Sequence, residues 1–195
     1  SAAYRALADA VAGIRAIDTW YLAEVRRLYG ELEVDGGVNS SDVIAWHRAE
    51  VRAAQNDCVA WILPGGNIRT LMSALRLFDV TIPHEVSVIA WSAGAMALTE
   101  RIALFHDHGP EGSQETELFD AGLGRVHGVV AFPHARRRLR MDDPERLGML
   151  ALRFEPAECV LLDDGAVLDF GATGTIPLNA RRVGADGLIR AGDDA

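Results

Sequence analysis

The chain contains no lysine; all 19 of its basic residues are arginine. We read this as compositional bias, although arginine also favours bidentate recognition of carboxylates. Cysteine is nearly absent. Cys58 and Cys159 are the only two, too few for a disulfide framework. Each precedes an apolar, strand-like run, so both are expected as buried free thiols. Apolar runs of membrane-spanning length are missing, and no signal peptide is visible. Basic excess is missing too: the formal net charge is −9, which argues against general nucleic-acid binding. From these features we expect a cytoplasmic protein with no membrane and no nucleic-acid partner. Its length of 195 residues suits one domain with a sizeable core, and its 49% apolar and 24% charged residues are ordinary for a globular chain.

The most informative stretch is Val88–Gly94, V-I-A-W-S-A-G. An apolar strand-like run ends in a serine among small residues, and Ala95-Met96-Ala97-Leu98 continues as a helix. A nucleophile elbow has this pattern, because a strained strand-to-helix turn lifts one hydroxyl above the sheet. The competing reading is a serine that merely caps a helix.

Around it, residues 2–29 show helical periodicity closed by Gly30, and Glu31–Val34 suggests a short strand. Ser40 or Ser41 caps a helix to about Ala54. Val59–Leu63 reads as a buried strand ending in Pro64-Gly65-Gly66-Asn67, with a helix to about Phe78. The elbow helix is expected over Ser92–Ile102, a loop over 106–124, a strand over Val126–Phe132 and a helix over Pro144–Phe154. Cys159–Leu162 and Ala166–Phe170 suggest a hairpin around Asp163-Asp164-Gly165. Ile176–Leu178 and Gly187–Ile189 suggest short strands. Such alternation implies an α/β fold with a mainly parallel sheet. We expect one domain, 1–195, with a mostly helical part over 1–55 and a core over 58–170.

A nucleophilic serine needs a base and an orienting acid. Of the six histidines, His134 is best placed, at the C-terminal end of an apolar strand, the same rim as Ser92. His47 and His84 read as surface residues, and His127 stands at the wrong end of its strand. Candidate acids are Asp107, Asp120, Glu111 and a carboxylate at 163–164. His106 and His108 flank Asp107 like metal ligands, but no third ligand stands at a usual spacing, so neither metal nor cofactor is expected. Gly65 and Gly66 let backbone N–H groups approach a ligand, and with the N–H of Ala93 they form a candidate oxyanion hole. Asn67 and Trp91 flank it as candidate substrate contacts. Arg136, Arg137, Arg138 and Arg140 follow His134 and suit an acidic ligand.

Gly65-Gly66-Asn67, Ser92-Ala93-Gly94-Ala95, Gly122-Leu123-Gly124, the strand ending in His134 and Leu162-Asp163-Asp164-Gly165-Ala166 occur in an order that resembles the peptidase E and cyanophycinase family of serine peptidases. The resemblance covers residues 58–170. It implies a three-layer sandwich with a mainly parallel central sheet, the class I glutamine amidotransferase-like (flavodoxin-like) fold. It also implies a hydrolase with a catalytic triad, placing the nucleophile at Ser92 and the base at His134. In peptidase E the acid follows the serine by fifteen positions, which is Asp107. In cyanophycinases arginines follow the histidine at four and six positions, which are Arg138 and Arg140. Ala90 and Trp91 depart from the family's usual Gly and small residue, and its first glycine-ended strand is not visible at the N-terminus. The expected substrate is a small acidic or isopeptide-type molecule, and a homodimer is compatible with the reading. The alternative is a non-catalytic amidotransferase-like domain that binds an acidic ligand or partner.

Overall fold

The computed structural model describes residues 2–105 and 116–191. The fold is mixed α/β, with its strands in small, partly parallel sheets. It opens with the 33-residue helix α1 (Ala2–Val34). The expected stop at Gly30 and the strand at 31–34 are not seen. Arg27 pairs with Glu24 and Glu31, so side-chain contacts one turn apart hold the helix on both sides of Gly30. The chain turns instead at Asp35-Gly36-Gly37, where Gly37 has φ 73°. α1 buries Val11 and Leu22. Asp18 takes both arms of Arg153 at 2.6 and 2.7 Å, and Tyr21 donates to the Phe119 carbonyl at 2.9 Å.

Helix α2 (Asp42–Asn56) is capped by Ser41, whose side chain accepts from the Ile44 N–H. Strand β1 (Ala60–Leu63) pairs in parallel with β2 (Ser87–Ala90), Leu63 opposite Ala90. Between them runs α3 (Ile68–Leu77), burying Ile68, Met72 and Leu75 on one stripe against α4 (Ala93–Leu98).

The elbow helix is shorter than expected, and a strand replaces its second half. Thr99 ends it, its hydroxyl lying 2.8 Å from the Met96 carbonyl and 2.9 Å from the Arg101 carbonyl and donating its one proton between them. The next residues form β3 (Arg101–Phe105), antiparallel to β4 (Thr116–Ala121). The expected loop over 106–124 therefore contains a strand. Its alternation is masked because one inward position is Asp120, buried and held by Arg76 at 2.5 Å.

Strand β5 (Val129–Pro133) is buried at every position and pairs in parallel with β6 (Glu158–Leu162). Short α5 (Ala135–Arg138) and then α6 (Pro144–Phe154) cross between them. The expected hairpin partner at 166–170 is not a strand. The free side of β6 takes β7 (Arg181–Val183), which pairs antiparallel to β6 and to β8 (Ile189–Arg190). Leu168, Phe170 and Ile176 instead cover the outer face of β5–β6, over Val129 and Val160. Neither expected strand keeps its place: 176–178 forms none, and the last strand starts at Ile189. Among the described residues the sheets have two, two and four strands, and only β1–β2 and β5–β6 are parallel pairs. No described helix is long and apolar enough to cross a membrane.

The two cysteines differ, correcting the expectation that both are buried. Cys58 is exposed, while Cys159 is buried and desolvation pushes its thiol up to about 12. A thiol reagent at about pH 8 is therefore expected to modify one cysteine in the native protein and the second only after unfolding. Two equally fast native thiols would contradict this packing.

Candidate functional site

Between β2 and α4 the backbone makes a turn that only particular residues permit. Ser92 has φ 51° and ψ −117°, a region that costs a non-glycine residue about 1–3 kcal/mol. Backbone bonds to the neighbouring strand hold it there. The Trp91 N–H donates to the Leu63 carbonyl at 3.2 Å, and the Gly94 N–H donates to the Pro64 carbonyl at 3.1 Å. Gly94 lies so close to β1 that a Cβ would stand 1.9 Å from the Leu63 oxygen. The serine side chain makes no capping bond to α4, so the helix-cap reading does not hold.

The Ser92 hydroxyl meets His134 instead: Oγ lies 3.2 Å from Nε2. His134 follows β5 directly and is also left-handed, at φ 56° and ψ 38°. Its N–H donates to the Leu162 carbonyl at 2.8 Å, fastening the residue to the end of β6. Among the described residues three non-glycines have left-handed φ values: Asp79, Ser92 and His134. Two of those three form the facing pair, so most of this backbone strain is concentrated at one point on the rim.

The other imidazole nitrogen, Nδ1, lies 3.4 Å from Asp164 Oδ1. A carboxylate there favours the tautomer with its proton on Nδ1, leaving Nε2 to accept from the serine. Asp164 is largely exposed and is also approached by Arg137 at 3.3 Å. Its neighbour Asp163 faces inward. Asp163 accepts from the Arg136 N–H at 2.9 Å and from Arg181 at 2.8 Å. It thereby ties the start of α5 to β7 and steadies the turns that carry His134 and Asp164.

The glycine turn also reaches the serine. A Cβ at Gly65 would lie 3.1 Å from Ser92 Cβ and 3.4 Å from the Trp91 ring, and Gly66 has φ 134°. Ala93 is the first residue of α4, so no intrahelical carbonyl stands four residues behind its N–H. Asn67 caps α3, accepting from the Thr70 N–H at 3.1 Å. Trp91 is half exposed beside the serine. Arg136 and Arg138 belong to α5, and Arg140, two residues beyond, lies 3.5 Å from Asp142.

Several candidates lie elsewhere. Asp120 is committed to Arg76 and to the Ala121 N–H, which removes it as an orienting acid. His47 lies near Glu50, His84 near Arg125, and His127 near Glu100. Asp107, Glu111, His106 and His108 lie outside the described residues. Among the described residues no three His, Cys, Asp or Glu side chains gather as a metal site. Arg181 had no sequence signal, since its role depends on β7 pairing beside β6. No family model, curated protein or solved structure matches this chain.

Two outcomes follow from this packing. Gly94→Ala is expected to lower stability in urea denaturation by about 2–4 kcal/mol, because backbone rather than a flexible side chain must move. Asp163→Ala is expected to cost about 0.5–1.5 kcal/mol, since it removes the carboxylate that Arg181 and the Arg136 N–H share. Wild-type stability in either variant would contradict the contacts described.

Proposed function

We propose that this protein is a serine hydrolase, a peptidase for small acidic or isopeptide-type substrates. The observation that carries the reading is the 3.2 Å approach of Ser92 Oγ to His134 Nε2 at a strained strand-to-helix turn, with a carboxylate at the opposite imidazole nitrogen. Strain of this kind persists only where the surroundings enforce it, and it clusters at functional sites.

In the proposed reaction, His134 Nε2 takes the hydroxyl proton as Ser92 Oγ attacks the substrate carbonyl carbon. Asp164 holds the imidazole and stabilises its charged form. Negative charge develops on the carbonyl oxygen, opposite the N–H groups of Ala93 and of Gly65 or Gly66. The tetrahedral centre collapses, the C–N bond breaks, and the imidazolium gives its proton to the leaving amine. Water then repeats the sequence on the acyl-serine and releases the acid. Among the arginines after His134, Arg138 and Arg140 suit a substrate carboxylate. We assign the orienting role to Asp164 because it faces Nδ1. The resemblance instead implies Asp107. The finer architecture, one three-layer amidotransferase-like sandwich, is also part of the proposal. Two parallel pairs, β1–β2 and β5–β6, whose C-terminal ends carry Ser92 and His134, support it.

Hydrolysis of Asp- and Glu-containing dipeptides and β-aspartyl isopeptides tests the proposal. Ser92→Ala is expected to lose at least about 10⁴-fold in kcat while keeping its fold, and Asp164→Asn about 10²–10⁴-fold. Asp107→Asn is expected to remain near wild type. Full turnover by Ser92→Ala would end the assignment. Folded protein that binds these compounds without cleaving them would favour the non-catalytic binding domain.

A further inference from the structure

The carboxylate at His134 is an exposed one. The Asp164 side chain is 71% exposed, and it approaches the imidazole through one oxygen, Oδ1 to Nδ1 at 3.4 Å. A carboxylate held by one oxygen can still turn about its last side-chain bond, a torsion with a broad minimum. The structure supplies a second hold. Arg137 Nη2 lies 3.3 Å from Asp164 Oδ2, so each oxygen has its own donor and the plane of the group is fixed.

Local structure brings Arg137 there. α5 is a single turn that starts directly after His134, and the Arg137 N–H donates to the His134 carbonyl at 2.9 Å. Residues three apart on one turn share a side, so the guanidinium returns to the side of the imidazole. Asp164 arrives from the other strand, two residues beyond Leu162, the register partner of Pro133. The backbone around both is already tied down, because Asp163 accepts from the Arg136 N–H and from Arg181. Between these anchors the Asp164 side chain still has to be oriented, and Arg137 reaches its second oxygen.

Two other roles suit Arg137 poorly. As a stabilising ion pair it contributes little, since its side chain is 76% exposed and its partner is exposed too. As a reader of a substrate carboxylate it stands at the wrong nitrogen. Ser92 meets Nε2, whereas Arg137 sits with the carboxylate on the Nδ1 side. We propose that Arg137 is a positioning residue: it holds the Asp164 carboxylate against His134 Nδ1 and so keeps the imidazole in the tautomer whose Nε2 accepts the Ser92 proton. The consequence for turnover rests on the hydrolase reading; the tautomer itself does not.

Proton–nitrogen correlation spectra of the histidine rings test the proposal, recorded on the full chain at a pH where the imidazole is neutral. The His134 proton is expected on Nδ1 in wild type and shifted toward Nε2 in Arg137→Ala. With β-aspartyl and Glu-containing dipeptides, Arg137→Ala is expected to lose about 5–20-fold in kcat with KM within about twofold, and Arg137→Lys to keep at least about half of the wild-type rate. In an Asp164→Ala background the Arg137→Ala change is expected to cost less than about twofold, because nothing is left to position. Urea stability of Arg137→Ala is expected to match wild type, which separates orientation from a structural role. An unchanged tautomer in Arg137→Ala, a rise in KM alone, or an undiminished loss in the Asp164→Ala background would each overturn the proposal. A wild type that cleaves nothing, but whose His134 proton leaves Nδ1 in Arg137→Ala, would refute the hydrolase reading and uphold the role of Arg137.

Discussion

The constraint on which the site depends is the near-contact between two backbones at the end of β1 and the start of α4. Gly94 fits against the Leu63 carbonyl because it has no side chain, and this closeness leaves Ser92 a left-handed conformation. The hydroxyl is thereby turned away from the helix it precedes and toward the sheet rim. The backbone bonds from Trp91 and Gly94 that hold the turn are together of the same order as the strain and offset it. The same closeness brings Gly65 within touching distance of Ser92, so one packing contact shapes both the hydroxyl and the wall opposite it.

The second half of the site rests on a different sheet. β5 and β6 are parallel and in register, and this puts His134 and the Asp163–Asp164 pair at the same end. The two aspartates divide the work by burial. Asp163 points inward to Arg181 and the Arg136 N–H, as an anchor. Asp164 points outward, with its carboxylate at His134 Nδ1. An exposed carboxylate adds only modest Coulomb energy in water, so in the proposed reaction Asp164 acts first by selecting the imidazole tautomer and only secondarily by stabilising its charged form.

Much of this was legible in the sequence. The apolar run into a serine among small residues, and the apolar run closing on His134, located the facing pair, because strand C-termini share one rim. Helices α2, α3 and α6 were legible from caps and apolar spacing. The misreadings have physical causes. Gly30 ends a helix by propensity, but ion pairs around it carry α1 onward. β4 hides its alternation behind Asp120, a charge buried against an arginine from a distant helix. Asp163-Asp164-Gly165 with an apolar run after it reads as a hairpin, yet β7, far along the chain, takes the place beside β6. Long-range pairing of that kind leaves no local trace. The sequence left the acid open among Asp107, Asp120, Glu111 and a carboxylate at 163–164; the pairing of β5 with β6 brings Asp164 to Nδ1, while Asp107 and Glu111 lie outside the described residues.

The central claim is that Ser92 is a hydroxyl activated by His134. The most direct measurement is covalent labelling with a fluorophosphonate probe, followed by peptide mass spectrometry to locate the adduct. The account predicts a single phosphonylated site at Ser92 in the native protein. It also predicts that labelling is lost on unfolding and slowed at least about 10²-fold in His134→Ala. An unlabelled native Ser92, or labelling at the same rate without the imidazole, would contradict it.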